Sequence, residues 1–276
     1  MVKFSHTIFA MPFAMVGYFL GITAEEGRVG EGLLLFVILC MVFARSAAMG
    51  FNRYIDRNID AKNPRTESRE IPSGTIKPQA ALIFVIFNAI AFIVTCWFIN
   101  LLVFFLSPVA LLVILGYSLT KKYTALCHFV LGIGLSLAPL GAYLAVTGKF
   151  AWLPVMFSFI VFLWSGGFDI IYALQDEKFD IRERLHSIPA SMGIRRALIV
   201  SGAVHVAVVV LMIIIGILGN FGMWYVIGAG VFLSLLMYQH LIIKPDDISR
   251  VNAAFFTSNG IASVVFSTFI ILDLFL

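Results

Sequence analysis

The sequence is short of charge. Asp, Glu, Lys and Arg make up 12% of its 276 residues, against about 25% in soluble domains. Hydrophobic residues make up 61%, and the mean hydropathy is +1.01. This excludes an ordinary soluble domain. Cysteine is scarce too. Cys40, Cys96 and Cys127 stand singly in or beside apolar runs, with no CxxC spacing. They exclude a disulfide framework and read as small packing residues. The histidines (His6, His128, His186, His205 and His240) are scattered and form no metal set by spacing. No polar stretch is long enough for a soluble domain, so 1–276 reads as a single transmembrane domain. The first apolar run follows Lys3, as a signal peptide would. Pro12 interrupts it and no small-x-small site follows, so it reads as a retained span.

What the chain has is long apolar runs. Nine are legible, at about 7–24, 32–51, 79–97, 101–119, 126–147, 151–173, 197–216, 222–240 and 254–274. Each approaches the roughly 20 residues a helix needs to cross a bilayer. With no water in the bilayer core, such runs are expected to be helices. The fold class is therefore an all-α membrane bundle. Charge placement tests the count. Nine spans put 17 of the 19 Lys and Arg on one side, leaving only Arg28 and Lys149 on the other. By the positive-inside rule the basic side, with the N-terminus, is cytoplasmic, and the cytoplasmic (inner) membrane is the expected location. The net charge of +4 then belongs to inside loops facing lipid or an anionic substrate, not to a nucleic-acid surface.

Two aspartate clusters stand at the inside ends of spans 2 and 6. The first holds Asn52, Asp56 and Asp60; the second holds Asp169, Tyr172, Asp176 and Asp180. Carboxylates at a membrane boundary are unfavourable unless something offsets them. At 3.6 residues per turn, each cluster keeps to one helical face. Like charges at i,i+4 repel by roughly a few tenths of a kcal/mol, so helix stability does not favour the pattern. Mg²⁺ does. It takes oxygen ligands, typically one or two carboxylates together with substrate phosphates. Arg65 and Arg69 in one loop, and Lys121 and Lys122 in another, would take the remaining phosphate charge. A solvated helix end with salt bridges explains one such cluster less strained than two.

At these residues the chain resembles the UbiA superfamily of intramembrane prenyltransferases. Asn52-x3-Asp56-x3-Asp60 is similar to NxxxDxxxD, and runs on through Asn63-Pro64-Arg65-Thr66-x-x-Arg69-x-x-Pro72-x-Gly74. Asp169-x-x-Tyr172-x3-Asp176-x3-Asp180 is similar to the second family motif, and Tyr117-x3-Lys121-Lys122-x-Thr124 to the linker between them. The resemblance implies nine helices around a central cavity open toward the bilayer. It implies Mg²⁺-dependent transfer of a polyprenyl group from its diphosphate, usually to an aromatic ring. Carried across, Asn52, Asp56 and Asp60 would bind one Mg²⁺, and Asp176 and Asp180 the other. Arg65, Arg69, Lys121 and Lys122 would hold diphosphate. Asp169 and Tyr172 would lie near the acceptor, and Arg45 would be a further cavity base. His128 is placed to touch the acceptor or to make an interhelical hydrogen bond.

The chain departs from many 4-hydroxybenzoate-prenylating members at three points. It reads Asn52-Arg53 at the motif start, Lys121-Lys122 for Lys-Arg, and Cys127-His128 for Pro-Gln. These touch the acceptor side more than the diphosphate side. Phe4-Ser5-His6-Thr7 and Leu185-His186-Ser187-Ile188-Pro189 point to a bacterial branch. Some members of that branch are assigned to menaquinone rather than ubiquinone synthesis. The expected partners are thus polyprenyl diphosphate, a small aromatic acid and the bilayer. Asp169 is the candidate for removing the ring proton or orienting the acceptor. One alternative is a prenyltransferase of the same superfamily with another acceptor, such as a menaquinone precursor, a lipid or haem; the competing class is an ion-coupled transporter, which would carry its carboxylates nearer the midplane. Asn252 and Asn259, seven apart on span 9, read as interhelical hydrogen bonds on one shared face.

Overall fold

The computed structural model describes residues 9–25, 30 and 32–276. Lys3, Phe4–Thr7 and Arg28 lie outside the described residues. Among those described the chain is helical, with one isolated bridge between Lys244 and Asp247 in place of any strand. The elements are α1 (Met11–Ala24), α2 (Leu33–Asp60), α3 (Pro78–Ile99), α4 (Leu101–Thr120), α5 (Cys127–Thr147) and α6 (Trp152–Ala173). After a 3₁₀ turn (Leu174–Asp176) come α7 (Glu177–Arg182), α8 (Ile188–Met192), α9 (Ile194–Leu218), α10 (Met223–Ile242), a π turn (Ala253–Ser258) and α11 (Asn259–Phe275).

Among the described residues, eight apolar segments have the length to cross a membrane, and α1 is a shorter apolar helix beside them. Its 14 residues reach about 21 Å at 1.5 Å per residue, short of a roughly 30 Å hydrocarbon core. The chain is a multi-pass membrane protein. Pro12 and Pro78 sit in the first turns of α1 and α3, where a missing N–H leaves nothing unpaired. Asn100 ends α3 and starts α4: its side chain accepts from Val103 N at 2.9 Å and donates to Leu144 O of α5 at 2.9 Å. That pins the α3–α4 hairpin to the far end of α5.

Aromatic packing fills the side away from the site. Trp164 of α6 is fully buried against Phe13, Phe168 and Phe232. Its indole N–H donates to Asn259 Oδ1 at 3.1 Å. The α1–α5 contact depends on Gly17, where an added Cβ would lie 1.9 Å from the Pro139 carbonyl oxygen. Only a glycine allows that backbone approach.

The apolar run of span 2 stops near residue 51, and its helix continues to Asp60, as one shared face for Asn52, Asp56 and Asp60 requires. Two other expectations shift. Span 6 ends at Ala173, and the 3₁₀ turn separates Asp169 from Asp180. Asn252 and Asn259 do not share a face. The π turn between them changes the winding, leaving Asn252 exposed and Asn259 buried. Asn259 alone makes the interhelical bond.

Candidate active site

The long α2 presents one stripe to a central cavity of about 600 Å³. Val37, Cys40, Met41, Ala44, Arg45, Ala48, Met49, Asn52, Asp56 and Asp60 all line it, stepping three or four residues at a time as one helical face requires. The stripe is apolar in its first half and charged in its second. The cavity follows suit: it runs from Asp60 and Arg69 at one end to Phe150, in the α5–α6 turn, at the other. Phe92, Cys96, Val103, Leu106, Leu131 and Leu135 form its apolar part.

At the charged end the two aspartate motifs meet. Asp60 takes both its oxygens to Arg69 Nη1, at 2.7 and 2.8 Å. Asp176 is bound by Arg65 in a fork, through Nε at 3.0 Å and through Nη2, and accepts from Asn63 Nδ2 at 3.1 Å. The loop after α2 thus clamps the end of α6. Arg65 Nη1 also donates to Tyr172 OH at 3.0 Å, with the guanidinium 5.3 Å from that ring's centre. Asn52 Nδ2 donates to Asp56 Oδ2 at 2.9 Å. Lys121 Nζ stands 2.8 Å from Asp180 Oδ1, an ion contact without the angle of an aligned hydrogen bond, and Ser187 Oγ donates to Asp180 Oδ2 at 2.9 Å. Burial would pull the Lys121 ammonium down, but the facing Asp180 carboxylate outweighs it and holds its pKa above the ordinary lysine value. Burial of Arg65 is likewise outweighed by Asp176, so its pKa is raised.

The expected site residues converge with one exception. Arg45, Asn52, Asp56, Asp60, Arg65, Arg69, Lys121, Lys122, His128, Asp169, Tyr172 and Asp176 line the cavity. Asp180 does not; it is fully buried behind Lys121. His128 is buried, with Nδ1 2.7 Å from Asp169 Oδ2 and Nε2 accepting from Ile188 N at 3.3 Å. Arg45 has a buried Nε with no partner among the described residues, and so has Nη1 of Arg53. Arg53, Asn63, Tyr117 and Ser187 were not singled out as site residues from sequence. Arg53 had a signal: it adjoins Asn52 and precedes Asp56 by three residues.

The donor chemistry suits Mg²⁺, since the charged end is built from carboxylate oxygens. Among the described residues no three Asp, Glu, His or Cys side chains form a closed metal group. Mg²⁺ needs no such cage when substrate phosphates complete its shell. Of the four cavity-lining aspartates, Asp56, Asp60 and Asp176 belong to the charged end and are available to it, while Asp169 is held by His128.

A model of the UbiA prenyltransferase family matches residues 10–260. The chain belongs to this family. A 4-hydroxybenzoate octaprenyltransferase of Nitrosospira multiformis is 30% identical over 250 residues, covering 91% of this chain and 86% of that protein. A protein of the same name from Nitrosomonas europaea is 30% identical over 263 residues, with 91% and 86% covered. Among solved structures, the apo UbiA homolog from Aeropyrum pernix K1 superposes with a TM-score of 0.88 at 28% identity, covering 99% of both chains. A UbiA homolog from Archaeoglobus fulgidus bound to GPP and Mg²⁺ gives 0.70 at 19% identity, over 98% of this chain and 96% of that one. That second likeness establishes the shared fold.

Proposed function

We propose that this UbiA-family protein transfers a polyprenyl group from polyprenyl diphosphate to the ring of 4-hydroxybenzoate or a close aromatic acid, as a step of respiratory quinone biosynthesis. One observation carries the proposal: a cavity whose charged end joins both aspartate motifs and whose remainder is apolar. A polyprenyl diphosphate has that same division. The relatives' names supply the acceptor, and the Arg45 guanidinium in the cavity, whose Nε has no partner among the described residues, suits its carboxylate. Mg²⁺ bound through Asp56, Asp60 and Asp176 would supply charge neutralisation to the leaving diphosphate. Asn52 would orient Asp56. Asp180 sits where it sets Lys121 more readily than where it meets a metal. Arg65, Arg69, Lys121 and Lys122 would bind phosphate oxygens. As the allylic C1–O bond breaks, its electron pair leaves with diphosphate. The ring carbon beside the hydroxyl then bonds to C1, and Asp169 receives the ring proton. Tyr172, held by Arg65, would face the reacting carbon.

We place the basic end of the bundle, with the N-terminus, in the cytoplasm, and the protein in the inner membrane. The test is turnover by the purified protein in lipid vesicles, given labelled polyprenyl diphosphate, Mg²⁺ and a panel of aromatic acids. Prenylated 4-hydroxybenzoate and released diphosphate are expected. Folded protein that prenylates no aromatic acid would overturn the proposal.

A further inference from the structure

Leu185–Ile188 joins α7 to α8 and lies across both halves of the site. Leu185 N donates to Asp180 O, and His186 N to Lys121 O, each at 2.8 Å. Ser187 Oγ holds the Asp180 carboxylate. Ile188 N donates to His128 Nε2. One short strap therefore fixes the Lys121–Asp180 pair on one side and the His128 ring on the other.

The strap also sets the tautomer of His128. A ring nitrogen that accepts from a backbone N–H carries no proton of its own. With Nε2 so engaged, the proton of the neutral ring is on Nδ1, which donates to Asp169 Oδ2 at 2.7 Å. Asp169 Oδ1 has no partner among the described residues, and the carboxylate lines the cavity. Gly166, three residues earlier on α6, leaves room for the ring of Phe129, whose Cδ1 would lie 2.9 Å from an added Cβ. That close α5–α6 packing brings His128 within reach of Asp169.

We propose that His128 is a positioning residue for the prenyl-transfer step, anchored by Ile188 and holding one oxygen of Asp169 so that the other faces the acceptor ring. The inference rests on the function proposed above. In the step it serves, the ring carbon has bonded to prenyl C1 and diphosphate has left. Asp169 Oδ1 then takes the proton from that same ring carbon, and the C–H electron pair restores aromaticity. The proton passes from Asp169 to water at the open end of the cavity. His128 gains and loses no proton. An anchored acceptor keeps the reacting geometry narrow, and misplacement by about 1 Å is enough to lower such a rate about 100-fold.

The test uses full-length protein in lipid vesicles with 4-hydroxybenzoate, unlabelled or deuterated at the ring positions beside the hydroxyl. His128→Ala is expected to lower kcat about 100-fold while the KM for polyprenyl diphosphate stays within about twofold. It should also raise the ring-deuterium isotope effect on kcat from unity to clearly above unity. His128→Asn, whose amide nitrogen reaches the place of Nδ1, should restore part of kcat and lower the isotope effect again. A mere packing defect would lower the rate without raising the isotope effect. Loss of rate with no isotope effect in either variant, or His128→Asn as impaired as His128→Ala with diphosphate binding intact, would overturn the proposal. If His128→Ala fails to fold, the Asn variant decides alone: a kcat below wild type with an isotope effect above unity supports it, and a wild-type kcat with the isotope effect at unity, or inactive folded protein, overturns it. Wild-type protein that prenylates no aromatic acid would remove the function proposed above, and this proposal with it. Wild-type turnover with an unmoved isotope effect removes this proposal alone.

Discussion

Arg65 is the most informative residue to perturb, because it ties the two aspartate motifs to each other. Its side chain is 31% exposed and that of Asp176 only 9%. Arg65→Met removes two charge-assisted bonds to Asp176 and one to Tyr172, leaving the Asp176 carboxylate with only Asn63. Breaking a buried pair in this way costs about 3–5 kcal/mol. Partial exposure of Arg65 lets water screen the orphaned charge, which brings the expected loss to about 2 kcal/mol. On the usual scale for larger domains, this lowers Tm by roughly 4–8 °C. The double variant Arg65→Met/Asp176→Asn carries no lone carboxylate and should recover at least half of that loss. The measurement is thermal unfolding of substrate-free protein in detergent, followed by tryptophan fluorescence. Equal Tm values for wild type and Arg65→Met would refute the clamp. So would a double variant less stable than the single one, because the penalty would then not come from stranding Asp176.

Asp56→Asn should leave Tm within about 2 °C of wild type and abolish Mg²⁺-dependent product formation, since among the described residues Asp56 pairs with no cation and only Asn52 bonds to it; a wild-type rate would remove it from the metal site. Arg45→Ala should raise the KM for the aromatic acid about 10- to 100-fold, the worth of one charge-assisted bond, with the KM for polyprenyl diphosphate unchanged; an equal rise in both would place Arg45 with the diphosphate. Gly17→Ala should destabilise by about 1–3 kcal/mol through overpacking against Pro139, read as a lower Tm in detergent; an unchanged Tm would mean α1 slides freely on α5. Mg²⁺ alone and a non-hydrolysable diphosphate analogue alone should each bind weakly in calorimetry, and together at least tenfold more tightly; independent binding would refute the exchange of partners argued below.

Helix number and the positions of both aspartate motifs were legible because they depend on hydropathy and on the 3.6 repeat. What was not legible depends on breaks in that repeat. Asp176 and Asp180 lie four apart, which in an unbroken helix gives one shared face. The 3₁₀ turn at Leu174–Asp176 ends that regularity, and Asp180 packs behind Lys121 instead of lining the cavity. The π turn at Ala253–Ser258 separates Asn252 from Asn259 in the same way. The extension of α2 through Asp60 was legible only in the i,i+4 spacing of Asn52, Asp56 and Asp60. Its last turns are polar, so the apolar run stops before the helix does. The partners of each charge were beyond reach of spacing altogether, because Arg65 and Asp176 are 111 residues apart and nothing in the sequence pairs Arg65 with Asp176 rather than Asp180.

Without substrate, the charged end balances itself. Arg65 sits on Asp176 and Arg69 on Asp60, so two of the three carboxylates assigned to metal are held by groups assigned to phosphate. A cation arriving alone that draws on more than Asp56 must take a carboxylate from an arginine and strand that arginine; a diphosphate arriving alone must strand a carboxylate. Each is the unfavourable half of an exchange, because a charge stranded in a part-buried site loses several kcal/mol of compensation. Arriving together they complete it, with arginine passing to phosphate and carboxylate to metal at nearly constant net charge. The residue pattern that first looks like paired repulsion along two helices is therefore stable only as part of a set of four charges. The sequence keeps the bases in the adjoining loops because, without them, the empty site would have no partner for its acids.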